Sequence, residues 1–427
     1  MILAVLFLGT LLLLFTGVPI FAGLALSAIV ASYIAHGSLL GLADIFVGEI
    51  DSYLLVAIPL FAFMANIMIR TRVVDDLFRF ADTLTRHLPG GLGVATILSC
   101  TVFAAISGSS VATALTIGAV AVPQMQKYGY ATARASGAVA GGGTLGILIP
   151  PSGPMILYAA VSNASVGALF IAGILPGLLL AVAFAVYVSV SSRFSTQEQT
   201  RPRAGLPEIV ATARSAIAPL LLPVAVLGGI YSGYFTVSEA AAVGVIGALL
   251  IALFVYRTLT WRALYEAAHG AAMTATMILA IVAASGLFSH VLTISRLPMQ
   301  VLEAVAHLEL SALPFILLVM VFIFVLGMFL EAVAIILITT PIVLPVLLAL
   351  DVDLTWYGIL LVVNLELAML TPPVGLNLFV LKATTRAPLS TIIRGAFPYI
   401  VVLVMFLALM FVVPDLATWL PRRAGYG

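Results

Sequence analysis

Oxygen atoms, rather than nucleophiles or metal-binding imidazoles, are the chemical resource of this chain. Three serines cluster in Ser107-Gly-Ser-Ser110, and two double prolines, Pro150-Pro151 and Pro372-Pro373, each interrupt an apolar run. Proline has no backbone N–H and clashes with the preceding turn, so a helix must break there. The carbonyls over Gly146 to Ser152 and over Ala368 to Val374 are thereby freed, and the hydroxyls of Ser107, Ser109, Ser110, Ser152 and Thr371 lie close to them in sequence. Such hard, neutral oxygens suit a small alkali cation, as unwound backbone does in membrane carriers. A sodium ion held this way needs no carboxylate cage, in keeping with the scarcity of acids in both segments. The alternative is two ordinary proline kinks with glycines packed beside them.

Other polar residues fall in the same segments. Ser110-Val-Ala-Thr113 reads as the start of a half-helix, whose amides and positive dipole end suit an anion; a helix cap without a ligand has the same pattern. Asn364, Glu366 and Asn377 are polar at membrane depth, where such groups are either functional or paired across helices. Asn377, beyond the second break, has an amide placed to donate to a carboxylate. Glu331 reads as a proton- or substrate-binding group or as a surface acid. The substrate-binding candidates are Ser110, Thr113, Thr144, Ser152, Glu331, Asn364 and Asn377. Ser107-Gly108-Ser109 is not a hydrolase elbow, because it lacks the flanking strand and nearby His and Asp partners. The five histidines have no metal spacing, Cys100 is the single cysteine, and no zinc motif or phosphate loop is present.

The elements that must position these residues occur twice. Gly146-Ile-Leu-Ile-Pro-Pro-Ser-Gly153 and Ala368-Met-Leu-Thr-Pro-Pro-Val-Gly375 are offset by 222 positions, and Pro123 matches Pro345 at the same offset. One unit has been duplicated, and broken spans in corresponding positions of two halves mark a transporter's binding site. With 63% hydrophobic and 8% charged residues and a mean hydropathy of +1.25, the chain falls outside soluble usage. It reads as an all-α polytopic membrane protein, and its net charge of +1 gives no field for nucleic acid. The N-terminus runs directly into apolar residues without a basic region, so it reads as a retained span rather than a cleaved signal.

A span needs about 20 apolar residues to cross about 30 Å of hydrocarbon. Spans are expected near 2–16, 18–36, 50–70, 131–160, 166–192, 211–233, 237–256, 271–291, 355–382 and 397–420. Two longer apolar stretches, 91–127 and 312–350, have small or polar residues at their middles and read as re-entrant helical hairpins. The segments Val73–Arg86 and Ile294–Ala306 read as interfacial arm helices. The tract Gly137–Thr144 offers a small-xxx-small face, expected to pack against the first hairpin. Basic residues gather in cytoplasmic loops. With the N-terminus outside, all of the 18 basic residues except Arg296, Arg422 and Arg423 fall on the cytoplasmic side. That layout makes the repeats inverted: 1–192 is the first, 193–210 a cytoplasmic linker and 211–427 the second, each with a hairpin and a broken transmembrane helix.

Ser107-Gly-Ser-Ser-Val-Ala-Thr113, Gly142-Gly-Thr-Leu-Gly-Ile-Leu-Ile-Pro-Pro-Ser152 and Asn364-Leu-Glu-Leu-Ala-Met-Leu-Thr-Pro-Pro-Val-Gly-Leu-Asn377 closely resemble the signatures of the large (DctM-type) membrane subunit of TRAP transporters. The likeness runs over nearly the whole chain. It implies an elevator-type ion transporter fold in a bacterial inner membrane, sodium-coupled uptake of an organic acid such as a C4-dicarboxylate or sugar acid, and Na+ as coupling ion with no organic cofactor. It also implies a small four-span DctQ-type membrane partner as a separate chain and an extracytoplasmic DctP-type solute-binding protein. On matching positions, the first sodium site would use Ser107 and Ser109 with carbonyls of Gly146, Ile149 and Pro151. The second would use Gly327 with Ala368, Thr371 and Val374, although many relatives have glycine where this chain has Ala368. The rivals are a sodium/carboxylate symporter of related inverted-repeat fold that works alone and a membrane-embedded enzyme, for which no nucleophile or metal constellation is found.

Overall fold

Two short apolar helices, α1 (Ile2–Phe15) and α2 (Ile20–His36), lie side by side at the start of the chain. The computed structural model describes residues 2–195 and 198–426, and among the described residues every regular element is helical. Next comes a helix that the sequence reading placed in an outer loop, α3 (Leu42–Ile50), bent by 55° from the segment carrying the 3-10 turn Tyr53–Val56 and α4 (Ala57–Ile69). The arm helix α5 (Val73–Thr85) buries Val73, Val74, Leu77, Phe78 and Ala81 on one face.

The first hairpin is α6 (Gly91–Ser107) and α7 (Ser110–Lys127), which pack on each other. The first broken helix follows as α8 (Thr132–Thr144), a 3-10 turn Leu145–Ile147, and α9 (Gly153–Ser162). After α10 (Val166–Ser192) the linker returns to the first half. Arg134 pairs with Glu198 at 2.7 Å, Arg86 with Glu208 at 2.6 Å, and Arg201 with Asp82. Part of the expected linker, residues 196 and 197, lies outside the described residues.

The helix α11 (Leu206–Tyr231) starts before the expected linker ends, because Pro207 is tolerated in a first turn and Glu208 suits the positive end of the dipole. There follow α12 (Val237–Leu250), running into a π-helical turn Ile251–Val255, and α13 (Trp261–Ile294). At 34 residues, α13 exceeds the expected 271–291; Thr260 caps it, and its first turns hold the pair Arg262–Glu266. The second arm is α14 (Leu297–His307) and the second hairpin α15 (Ala312–Gly327) with α16 (Ala332–Ala349). The second broken helix is α17 (Leu354–Leu370) with α18 (Leu376–Thr385). The last span, expected at 397–420, is instead α19 (Leu389–Val412), and α20 (Asp415–Arg423) is separate. Proline at 414 ends the one and begins the other.

Among the described residues six helices are long and apolar enough to cross a membrane unbroken, and the bent α3–α4 pair makes a seventh if it is one span. The ten full spans expected from hydropathy are therefore not ten uninterrupted helices: α1 and α2 are short, and 131–160 and 355–382 are each divided at the double proline. The outer helices show apolar side chains such as Leu221 and Val224 on α11 and Met405 on α19, as a lipid-facing surface does.

Both broken helices lie at the centre. Residues 135–152 are buried throughout, as are residues 357–370, and α8 touches α17. The small-residue face of α8 has a different partner from the one expected. A Cβ on Gly137 would lie 2.1 Å from the Gly395 carbonyl and one on Gly141 2.2 Å from the Tyr399 ring, so this face closes on α19. Gly142 and Gly143, on the other sides of the helix, are the ones that meet Cys100 and Ala114 of the first hairpin. A glycine pattern shows that something approaches closely, not what approaches.

Candidate functional site

At the first hairpin tip, α6 stops because Gly108 turns left-handed at φ 59°, which glycine adopts without a Cβ penalty. Ser109 is extended and caps α7, its hydroxyl accepting from the Ala112 amide at 3.3 Å. Thr113 Oγ1 donates to the Ser109 carbonyl at 2.8 Å and lies 2.8 Å from Ser107 Oγ. Tip and break then meet backbone to backbone. A Cβ on Gly146 would stand 2.5 Å from the Ser109 carbonyl oxygen, and one on Gly108 2.5 Å from that of Pro151.

In an unbroken helix residues 150 and 151 would donate to the carbonyls of Gly146 and Ile147. Both are prolines, so those two oxygens lose their helical donors. Ser152 Oγ takes over one of them, donating to the Ile147 carbonyl at 2.6 Å while wholly buried. Ile149 is buried against Gly177 of α10. Thr144, also wholly buried, donates to the Gly141 carbonyl at 2.7 Å within its own helix.

The second tip follows the same plan with other side chains. Gly327 ends α15, and a Cβ there would lie 2.5 Å from the Ala368 Cβ on the second broken helix. The Gly375 amide faces the Met328 carbonyl at 3.4 Å. Pro372 and Pro373 deprive the carbonyls of Ala368 and Met369 of helical donors. The Thr371 amide supplies the Ala368 carbonyl at 3.1 Å, and Thr371 Oγ1 donates to Leu367 at 2.7 Å. Val374, at the place of Ser152, has no hydroxyl to offer Met369. Both Pro-Pro bonds are cis.

Three polar side chains tie this machinery together or stand alone in it. Asn364 donates to the Met320 carbonyl at 2.8 Å, joining α17 to the second hairpin. Asn377 donates to Ser110 Oγ at 2.6 Å, joining α18 to the first hairpin, while its own Oδ1 is buried without a partner among the described residues. Glu366 is wholly buried, and neither carboxyl oxygen has a hydrogen-bond partner among the described residues.

A cavity of about 550 Å³ opens between the two tips and is closed on the far side by α4 and α13. Of the sequence candidates, Ser107, Ser109, Ser110, Pro151 and Glu331 line it. Thr113, Thr144, Ser152, Asn364 and Asn377 are not in its wall, nor are Gly146, Ile149, Gly327, Ala368, Thr371 and Val374, which lie at or behind the tip-and-break contacts. The first residues of four half-helices reach the wall: Ser110 of α7, Gly153 of α9, Ala332 of α16 and Leu376 of α18. The sequence reading missed Phe61 on α4 and Thr274 and Met277 on α13, which complete the wall. Nothing in their local spacing marks them, since they lie in ordinary apolar helices.

Apolar spanning helices around two hairpin tips seated on two broken helices define a multi-span membrane transport protein of helical carrier fold. The family model for the tripartite ATP-independent periplasmic transporter DctM component matches residues 7–416. The chain is 42% identical over 375 residues to the C4-dicarboxylate TRAP transporter large permease protein DctM of Pseudomonas aeruginosa, covering 88% of each. It is 37% identical over 406 residues to the isethionate TRAP transporter permease protein DctMQ of Oleidesulfovibrio alaskensis, covering 94% of this chain and 64% of that one. In fold it is similar to the YdaH transporter of Alcanivorax borkumensis, with a TM-score of 0.62 at 15% identity over 88% of this chain and 87% of that one. The chain belongs to the DctM family of TRAP transporter large permeases. It is a membrane transport subunit and not an enzyme.

Proposed function

We propose that the chain is the permease of a sodium-coupled secondary transporter that imports an organic acid delivered by an extracytoplasmic solute-binding protein. The observation that carries this reading is the seating of each hairpin tip on its own broken helix, Ser109 against Gly146 and Gly327 against Ala368. Each contact gathers backbone oxygens that have lost helical donors, which suits a sodium ion. The first ion would be held by Ser107 and Ser109 with carbonyls of Gly146, Ile149 and Pro151, and the second by Gly327, Ala368, Thr371 and Val374. The organic acid sits in the cavity between the tips, with Ser110 and Glu331 in its wall and Thr113, Thr144, Ser152, Asn364 and Asn377 setting the backbone behind it.

The two repeats, 1–192 and 211–427, have opposite orientations in the inner membrane of a bacterium, with the 193–210 linker on the cytoplasmic face. Hairpins and broken helices travel as one body against a scaffold of the remaining spans, in elevator fashion. The Oleidesulfovibrio relative is named DctMQ, which supports a small four-span DctQ-type subunit as a partner here. An elementary charge moved through 100 mV is worth about 2.3 kcal/mol. A monoanion carried with two sodium ions brings in one net charge and gains roughly fiftyfold accumulation from voltage; a dianion with two gains none from it.

The test is uptake into proteoliposomes containing the permease and its small partner. Accumulation should require both an inward sodium gradient and the loaded binding protein. Uptake that persists without the gradient overturns the sodium coupling, and uptake that ignores the binding protein favours a symporter working alone.

A further inference from the structure

A second cavity, of about 430 Å³, continues the line of the central one. Three helices line both, each moving on by about a turn or less: α9 from Ile156 to Leu157, α13 from Ile278 to Val282, and α16 from Val333 to Leu337. The fourth side passes from Ile58 of α4 back to Leu55, Ser52 and Glu49. With the N-terminus outside, this second cavity lies on the extracytoplasmic side of the first.

Its chemistry is that of a carboxylate among hydroxyls. Glu49 makes no hydrogen bond or ion pair among the described residues. Its stem lies across α13 at Gly286, where a Cβ would stand 2.0 Å from Glu49 Cγ and 3.0 Å from Oε1, so a glycine is what admits the side chain. Ser289, three residues further on the same helix face, and Ser52 add hydroxyls to the wall. Ser285 adds another. Pro341 deprives the Leu337 carbonyl of its helical donor, and Ser285 Oγ supplies one at 2.7 Å. That bond spends the Ser285 proton and leaves the oxygen's lone pairs as acceptors.

No lysine or arginine lines this cavity among the described residues, and His290, next to Ser289, is not in its wall. The chain has no lysine or arginine before Arg70. Two helices end beside the cavity, α3 just past Glu49 and α9 just past Val161, and carbonyl ends favour a cation; only the short turn after Ser52 begins there. An organic anion meets a like charge at Glu49. One carboxylate with neutral oxygens suits a cation of single charge, since a divalent ion such as calcium commonly draws more carboxylates.

We infer that this second cavity is an antechamber for the coupling cation, in which the Glu49 carboxylate and the hydroxyls of Ser52, Ser285 and Ser289 hold a sodium ion on its way from outside to the hairpin tips. The site is separate from the two at the tips and is a stage of entry. It rests on the sodium-coupled reading above and deepens it.

The full chain in lipid nanodiscs is treated with a carbodiimide, which modifies carboxyl groups, and labelling of Glu49 is read by mass spectrometry. Sodium chloride should lower that labelling roughly fivefold relative to choline chloride at equal ionic strength, and Ser289→Ala should weaken the protection. In proteoliposomes with the small partner and the loaded binding protein, Glu49→Gln should raise the external sodium concentration for half-maximal uptake about tenfold, with excess sodium restoring the rate. Equal labelling in sodium and choline overturns the site, and leaves the permease reading standing where uptake still needs sodium. Calcium protecting Glu49 better than sodium overturns the choice of a singly charged ion. An unmoved half-saturation, or a loss of rate that excess sodium does not restore, overturns the role in entry. Uptake that needs no sodium in the unmodified chain overturns both the coupling and the entry role.

Discussion

At the first break, residues 144–152 are buried without exception, and Ser152 supplies one of the two carbonyls that the prolines leave without donors. At the second, Pro373 is exposed, Thr371, Pro372 and Val374 are half-buried, and only a backbone amide intervenes, from Thr371 to Ala368. The tips differ in the same sense. Ser109 and Thr113 tie the first into a local network, while the second exposes Phe329 and places an acid at its cap. A duplicated unit has thus kept its backbone plan and changed its side-chain support. Loss of a buried hydroxyl costs more where no water can replace it, so the first unit is the more rigid cradle and the second the more accessible one.

That contrast can be broken most forcefully at the glycines. Gly146→Ala puts a methyl group into the Ser109 backbone where nothing can yield, and should reduce proteoliposome uptake by tenfold or more, at about 1–3 kcal/mol of overpacking. Gly327→Ala, also buried, meets the Ala368 methyl group rather than backbone and should cost a fewfold loss in the same assay; equal losses would contradict the rigidity difference. Ser152→Ala strands the Ile147 carbonyl and should destabilise the chain by about 1–3 kcal/mol, read as a lowered melting temperature in detergent. Glu366→Met replaces a buried carboxyl, unpartnered among the described residues, with an apolar group of similar length and should stabilise the chain by about 1–3 kcal/mol, read as a raised melting temperature. Ser109→Ala removes the α7 cap and should cost about 1 kcal/mol by the same measurement. The smallest change runs in the other direction. Val374→Ser gives the second break a hydroxyl at the place Ser152 holds in the first, and should stabilise it by about 0.5–1 kcal/mol.

Much of this plan was legible in the chain itself. The hairpins expected at 91–127 and 312–350 are found at 91–127 and 312–349, because apolar length and a mid-stretch Gly-Ser or Gly-to-Glu interruption are local signals. The broken helices were legible for the same reason, since a double proline acts on its own turn. What failed depended on distance or on chain ends. The partner of the Gly137 and Gly141 face is α19, more than two hundred residues away, and glycine spacing contains no address. The last span, expected at 397–420, begins earlier at Leu389, since Arg394 within the first turns of a long helix can lie at the membrane surface. The α3 helix was overlooked because Asp44, Glu49 and Asp51 outweigh its apolar residues over so short a segment. Of the candidate site, the backbone elements were readable and the α4 and α13 wall was not.

The Asn377 amide reaches Ser110 across 267 residues of sequence, binding the tail of the second broken helix to the head of the first hairpin. If the carrier moves as proposed, this buried lock couples its halves, so that neither slides while its sibling stays behind. The cargo and both ions would cross in a single stroke, and a slipping carrier that leaks sodium without its acid would first have to open that bolt.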